Sequence, residues 1–357
     1  MSQRNENPYE YSDTNKRYMT YDWYMKRRFG GKVAKVSLDA GFTCPNIDGA
    51  LGRGGCIYCK NGASSSVGKT LAEQYENGIR VACRKWSPVG FIPYLQSHTN
   101  TYGDAGFLRK IYSGAAALPG AVMLDISTRA DCLPDDVIGV LCEIAEQIPL
   151  TVELGLQSSS DETAHLINRR HKYAAFCDGY NRLTCAFQEI NSAYPPTPQV
   201  CEPGIKGTSL PMKRATVGVH IINGLPGESR REMLKTAADV AALRPDMVKI
   251  HLMHVLRGTP LADMYARGKY VPLDLPDYVS VTCDQLELLP AETMIGRITG
   301  DGVADDLIAP QWSRRKTAVA NEIDKELYRR RGMQGDSGET RFLTERKIPL
   351  QESRKDF

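Results

Sequence analysis

The strongest constraint on this chain is a rhythm. Short apolar segments bounded by Gly, Pro, Asp or Ser alternate with longer amphipathic ones along its 357 residues. Six segments read as strands: 32–39, 90–97, 121–127, 150–157, 215–223 and 247–255. Helical periodicity fills the gaps between them. It is clearest over 134–147, where Val137, Ile138, Leu141, Ile144 and Ala145 fall on one face and Asp131 is a candidate cap. Residues 227–244 repeat the pattern with Met233, Leu234, Ala237, Ala238, Ala241 and Ala242. Further helices are expected over 275–290 and 310–330. A βαβα order implies a parallel sheet with helices outside, because a parallel crossover needs a long connection. Six units suit an open, incomplete barrel or a doubly wound sheet, and periodicity does not choose between them. Either one brings chemistry to the C-terminal ends of the strands. Polar residues cluster there, at 39–44, 96–102 and 127–131, at Glu153 and Gln157, at 223–228, and at His251 and His254.

Composition narrows the class. Hydrophobic residues make up 42% and charged residues 24%, which excludes a disordered chain, a collagen and a coiled coil. Lys+Arg 45 against Asp+Glu 42 leaves a net charge of +3, which neither demands nor excludes a nucleic-acid partner. No apolar run reaches about 18 residues, so no membrane partner is expected. The polar start lacks the apolar stretch of a secretory signal. Ten cysteines in such a chain read as free thiols, so the expected location is the cytoplasm or another reducing compartment. Two segments break the rhythm. Residues 191–213 carry Pro195, Pro196, Pro198, Pro203 and Pro211, which reads as a surface insertion before the fifth strand. From about residue 332 the chain is polar and charged and is expected to be disordered.

The densest chemical signal is CPNIDGALGRGGCIYC, which sets Cys44, Cys56 and Cys59 on one Gly-rich loop after the first strand. Gly49, Gly52, Gly54 and Gly55 let backbone wrap closely around a bulky group. Zinc normally takes four closed ligands, and no second close pair follows. A thioredoxin-like pair would leave Cys44 idle. A 4Fe-4S cluster normally takes four cysteines, so three would leave one iron open. Spacing alone leaves these readings open.

The flanking segments carry a resemblance. They are SLDAGFTCPN at 37–46, LQSHTNTYGD at 95–104, TRADCLPDD at 128–136, VELGLQSSSDETAHLINRRH at 152–171, HIINGLPGES at 220–229, VKIHLMHVLRGTPLADMY at 248–265 and RITGDGVADDLIAPQWSRRK at 297–316. With the cysteines, they resemble the radical S-adenosylmethionine (SAM) superfamily, in its YtqA/YhcC-like (MnmL-type) branch related to the elongator catalytic subunit. The resemblance implies an α/β fold with a partial (β/α)6 TIM-barrel-like core and a C-terminal helical extension. It divides the chain into a polar N-terminal extension at 1–24, a core at 25–260, the extension at 261–331 and a tail at 332–357.

The resemblance also implies cofactors and roles. A 4Fe-4S cluster would sit on Cys44, Cys56 and Cys59, with SAM on the fourth iron. Tyr58 would pack near the adenine. Gln96, Thr99 and Asn100 follow strand two and would serve the methionine end. Ser127 and Arg129 follow strand three, and Arg129 would pair with the SAM carboxylate. Glu153 would meet the ribose or the SAM amine, or a neighbouring Arg, since a buried Glu requires a partner. Gly224 and Gly227 would run backbone beside the adenine. His251 and His254 are substrate candidates, or else satisfied core histidines; their odd spacing puts them on opposite strand faces. The remaining cysteines show no spacing for a second cluster. Three basic runs, at 26–28, 314–316 and 329–331 with Tyr24, Trp312 and Tyr328 nearby, would grip phosphates or form solvated helix faces. The implied activity is reductive SAM cleavage applied to a tRNA wobble uridine, converting 5-carboxymethylaminomethyl(-2-thio)uridine to 5-aminomethyl(-2-thio)uridine. An external donor such as flavodoxin or ferredoxin would supply electrons. A metabolite or protein substrate, and a non-catalytic iron-sulfur or zinc protein, stand as alternatives.

Overall fold

The computed structural model describes residues 7–60, 68–195, 212–300 and 305–336. In chain order the elements are α1 (Tyr21–Phe29), β1 (Val33–Leu38), α2 (Pro45–Asp48), α3 (Leu71–Cys83), β2 (Gly90–Leu95), α4 (Ala105–Ala116), β3 (Leu124–Thr128), α5 (Asp135–Gln147), β4 (Leu150–Gln157), α6 (Asp161–Leu166), α7 (Tyr173–Ala193), β5 (Ala215–Asn223), α8 (Arg230–Leu243), β6 (Met247–Leu252), β7 (Val255–Leu256), α9 (Pro260–Ala266), α10 (Leu275–Leu288), β8 (Met294–Arg297), β9 (Leu307–Ala309) and α11 (Lys316–Arg330). The main sheet has seven strands in the order β1-β2-β3-β4-β5-β6-β8. Every pairing in it is parallel. It curls into a half-barrel with helices outside.

Alternation along the strands separates two environments. Val152, Leu154 and Leu156 of β4, Val217, Val219 and Ile221 of β5, and Val248, Ile250 and Leu252 of β6 join the core that the outer helices cover. The intervening residues face the concave side. Their chemistry changes in tiers along the barrel. Val33, Ile92, Met123, Met247 and Met294 form an apolar floor. One step further up, Lys35, Tyr94, Glu153 and Lys249 form a buried ionic tier. At the strands' C-terminal ends, Gln96, Ser127, Gln157 and His220 line a cavity.

The N-terminal segment closes the floor, which corrects the expectation of a polar extension over 1–24. Tyr9, Tyr11, Met19, Trp23, Tyr24 and Met25 are buried in the same cluster as the floor residues. Helix α1 packs against both β1 and β8, the two open edges of the sheet. Thr20 caps that helix by accepting from the Trp23 amide at 3.1 Å. The Ile295 amide donates to the Met19 carbonyl at 2.8 Å, so the segment also satisfies part of the β8 edge.

Other boundaries move for physical reasons. The expected C-terminal helical extension supplies β8, the seventh strand, whose four residues are too short to show a period. The sixth expected strand splits, because β7 turns away to pair antiparallel with β9. Helix α7 runs to Ala193, so the start of the expected insertion is helical; Asn191 pins it by exchanging two 2.9 Å bonds with Ala215 of β5. The rest of the insertion, 196–211, lies outside the described residues. Of the expected disordered tail, residues 332–336 are placed, and Gln334 is buried with bonds to Pro290, Thr293 and Met19; residues 337–357 lie outside the described residues. Asp131 does not cap α5, whose N-cap is Pro134 without a side-chain bond. Among the described residues no helix is long and apolar enough to cross a membrane.

If the N-terminal segment is part of the barrel, Trp23→Ala will cost about 3–5 kcal/mol in urea unfolding, as for a large core side chain. A loosely attached extension would lose less than about 0.5 kcal/mol, the usual scale of a surface change.

Candidate active site at the barrel mouth

The cysteine loop is held by its own backbone. Cys44 caps α2, and its carbonyl accepts from the Ile47 and Asp48 amides at 2.7 and 3.1 Å. Gly54 and Gly55 adopt φ of 84° and 71°, a reversal that a Cβ would strain. The chain then turns again, with the Cys59 amide on the Cys56 carbonyl at 2.9 Å. Neighbouring elements fix the loop from outside. The Gly55 amide donates to the Asn46 carbonyl at 2.8 Å, and the Ile57 amide donates to the Ile167 carbonyl at 3.1 Å. Asn168 Nδ2 donates to the Gly55 carbonyl at 2.7 Å, while Asn46 Nδ2 donates to the Asn168 carbonyl at 2.6 Å.

All three thiols border one cavity of about 710 Å³. Among the described residues no three His, Cys, Asp or Glu side chains converge as they would around a single metal ion. Cys56 is the most electropositively surrounded of the thiols. Asn46 Nδ2 lies 3.7 Å and Arg169 Nη1 4.0 Å from its sulfur. The Cys59 thiol hydrogen bond, with Arg169 and Arg129 beside it, holds Cys56 well below the ordinary thiol range against its burial. Cys59, on the other side of that bond, is pushed up.

The structure sorts the sequence candidates. Tyr58, Gln96, Thr99, Ser127 and Arg129 line the cavity with the cysteines. The Arg129 fork does not stand free for a ligand, as bidentate SAM binding required. Its Nε and Nη2 pair with Asp131 at 2.9 and 2.8 Å. Its Nη1 is buried without a hydrogen-bond partner, as is Nε of Arg169, another lining residue. Asn100 does not line the cavity. Its amide donates to the Leu95 and Ser127 carbonyls at 3.2 and 2.8 Å, tying β2 to β3. Gly224 also lies off the cavity, in a turn packed on Leu273, with its carbonyl accepting from Tyr270 at 2.7 Å. His251 and His254 are not among the lining residues either; the Nε2 of each is buried without a partner.

Glu153 is the main correction. Its carboxylate is fully buried and is taken up by protein groups rather than by the cavity. Lys35 Nζ donates to Oε1 at 2.9 Å, and Tyr94 and His220 Nε2 each meet Oε2 at 2.7 Å, with Lys249 on the same oxygen. Burial opposes its charge, but Lys249, Lys35 and His220 outweigh that and hold Glu153 well below the usual carboxylate range. The same burial pushes Lys249 down to about 8. Lys35 also pairs with Asp125.

Sequence reasoning missed Arg169 and His220 and gave His98 and Gln157 no role beyond their place in polar strand-end clusters; all four line the cavity. His98 and Gln157 sit at φ 62° and 76°, rare for side chains of their size. At Gly155 an added Cβ would lie 2.7 Å from Gln157 Nε2 and 3.1 Å from Arg169 Nη2, so glycine is what lets both reach the mouth. The basic runs are mostly absorbed. Lys26 pairs with Asp22, Arg27 lies 4.6 Å from the Trp23 ring, and Arg329 and Arg330 pair with Glu326.

A parallel half-barrel with three cysteines at the C-terminal mouth defines a class, the radical SAM enzymes. Comparison with known proteins agrees. Residues 245–329 match the Radical SAM C-terminal domain. YtqA of Bacillus subtilis is 40% identical over 92% of this chain and 95% of its own. A tRNA uridine(34) acetyltransferase of Methanocaldococcus jannaschii is 26% identical over 77% of this chain and 52% of its own. Among solved structures, Elp3 of Methanocaldococcus infernus aligns at TM-score 0.56 and 18% identity, covering 85% of this chain and 64% of that one. The chain belongs to the YtqA/YhcC-like family of the radical SAM superfamily. It is a SAM-dependent enzyme of that superfamily.

Two measurements test the electrostatics. Glu153→Ala leaves Lys35 and Lys249 facing each other in the interior and will cost about 3–5 kcal/mol in urea unfolding. Glu228, which accepts from Ser158 beside the cavity, is raised by burial from 4.5 to about 7. Folded Glu228 keeps a proton that the unfolded chain has released, so its contribution is full below the unfolded value and is lost as pH rises towards about 7. Glu228→Gln will flatten that fall in urea midpoints measured across the same range.

Proposed function

We propose that Cys44, Cys56 and Cys59 hold the 4Fe-4S cluster, and that SAM occupies the cavity beside them. The observation that carries this is the shared wall: three thiols and two guanidinium groups with unfilled donors border one space. Cys44, Cys56 and Cys59 would hold such a cluster with fewer protein ligands than the usual four, so that a cofactor could complete it. When bound, the cluster and SAM supply a 5′-deoxyadenosyl radical that takes hydrogen from the substrate. This chain does the rest by position. Arg129 and Arg169 set positive charge on the cavity wall beside the SAM carboxylate. Gln96, Thr99 and Ser127 offer amide and hydroxyl groups along the same wall, and Tyr58 offers a ring face. The apolar floor and ionic tier close the barrel from below and keep water to the mouth.

The substrate we infer is a tRNA wobble uridine carrying a 5-carboxymethylaminomethyl group, with or without 2-thiolation, which would leave as 5-aminomethyluridine, the two-carbon unit departing as glyoxylate after loss of one hydrogen atom, return of one further electron to the iron-sulfur centre and addition of water to the resulting imine. The relative named for tRNA uridine(34) supports this, although the chain spans about half of that protein. The chemistry agrees. A methylene between nitrogen and carboxylate gives a stabilised carbon radical, hence a good hydrogen donor. The base would enter flipped from the anticodon loop. A flavodoxin- or ferredoxin-type donor in a reducing compartment would supply electrons.

Mass spectrometry of tRNA nucleosides from cells with and without this protein tests the substrate. The aminomethyl nucleoside will vanish without it and the carboxymethylaminomethyl form will accumulate; unchanged nucleosides refute the assignment. Cys56→Ala will abolish the brown absorbance of anaerobically reconstituted protein and its dithionite-driven release of 5′-deoxyadenosine.

A further inference from the structure

The turn that holds the cysteine loop has a second, outer face. Asn168 and Arg170 adopt φ of 56° and 65°, and Arg169 between them lines the main cavity. Arg170 instead lines a separate cavity of about 430 Å³, together with Asp161, His165, His171 and Lys172. Successive Cα atoms are only about 3.8 Å apart, so the two cavities lie on either side of one turn. Arg170 also covers the cysteine loop itself: a Cβ added at Gly52 would lie 3.1 Å from its Nε.

The groups left free in this outer cavity are donors. Among the described residues neither Arg170 nor Lys172 has an ion-pair partner. Asp161, the carboxylate that lines the cavity with them, accepts from the Tyr173 amide at 2.7 Å. The Asn168 side chain is taken up by the Gly55 carbonyl. Burial, with Arg169 adding repulsion, lowers His171 to about 4, so the positive charge comes from Arg170 and Lys172. Arg53, exposed and also without an ion-pair partner among the described residues, folds over Gly49 of the same loop. Asp161, His165 and His171 do not converge as ligands of a metal ion would. Guanidinium and ammonium groups only donate, and the guanidinium fork matches a phosphate.

We propose that Arg170 and Lys172 grip a backbone phosphate of the RNA whose base enters the neighbouring mouth. The assignment rests on the wobble-uridine reading and names where the strand beside that base is held. A flipped base enters its pocket and leaves its own backbone outside, so the flanking phosphates must cross the rim of the mouth. The 168–170 turn is one side of that rim. Phosphate contacts fix register and orientation without reading sequence, which is what presenting one base requires. The basic runs at 26–28 and 329–331 are poorer candidates, because Lys26, Arg329 and Arg330 are paired with acids. One turn thus anchors the cysteine loop through Asn168, charges the cavity through Arg169 and holds the strand through Arg170.

The test is binding of an anticodon stem-loop RNA bearing 5-carboxymethylaminomethyluridine to the reconstituted holoenzyme across a range of salt, at matched iron and sulfide content. Arg170→Ala with Lys172→Ala will weaken binding about tenfold, the scale of one charged hydrogen bond. It will also reduce the slope of log affinity against log salt by about 0.7, the share of one single-strand phosphate. Lys172→Ala alone, which leaves the Arg170 cover of Gly52 in place, will show part of both losses; a disturbed cysteine loop would not explain that. Lys325→Ala with Arg329→Ala removes the same two charges where they are paired with Glu322 and Glu326, and will leave both readings native. An unchanged slope in the Arg170/Lys172 variant, or an equal loss in the Lys325/Arg329 variant, overturns the assignment and leaves the wobble-uridine reading intact. Inorganic phosphate bound through Arg170, with RNA affinity indifferent to the substitutions, would make this a small-anion pocket and overturns it equally. A native holoenzyme that does not bind this RNA overturns both.

Discussion

A single buried carboxylate holds the inside of this barrel together. Glu153 reaches side chains from four other strands, Lys35 on β1, Tyr94 on β2, His220 on β5 and Lys249 on β6. Strands β1 and β4 are not neighbours, so the contact exists only because the sheet curls. A buried ion pair is weak evidence for stability as such, but each charge here depends on the others for its place. That interdependence sets the radius of the curl. It also divides the barrel into a sealed lower half and a reactive upper half.

The upper half depends on that division. The cysteine loop has little regular structure of its own. It is held against the segment after β4 by the Asn46 and Asn168 amides and by the Ile57 backbone. Arg169, which follows directly, brings a guanidinium to Cys56 and to the cavity. The positive charge needed beside thiolates and a carboxylate-bearing cofactor therefore comes from the same turn that positions the loop.

The outer architecture was legible because short apolar segments alternate with amphipathic helical ones, which demands a parallel sheet with helices outside, while leaving an open barrel and a doubly wound sheet both standing. The cysteine loop stood out in the sequence, but its spacing left zinc, redox and iron-sulfur readings open, and the flanking segments carried the resemblance. Contacts at long sequence distance were not. A buried Glu153 called for a partner, but nothing local named Lys35 or Lys249, which lie 118 and 96 positions away. Asn100 and Gly224 stood at the right strand ends, yet the Asn100 side chain turns between two carbonyls and the Gly224 turn packs on Leu273. The N-terminal aromatics hid among charged residues with no period, and four-residue β8 was too short to carry one.

The floor has a consequence for biogenesis. Met19 is bonded through its amide to the Gln334 side chain and through its carbonyl to Ile295, and the Gln334 amide returns to Arg17. The N-terminal segment can dock on Val33, Ile92 and Met123 as soon as β1 and β2 and the start of β3 are in place, but its bonds to Ile295 and Gln334 wait for residues about three hundred positions downstream. The seal beneath the barrel is therefore complete only when both ends of the described chain have met.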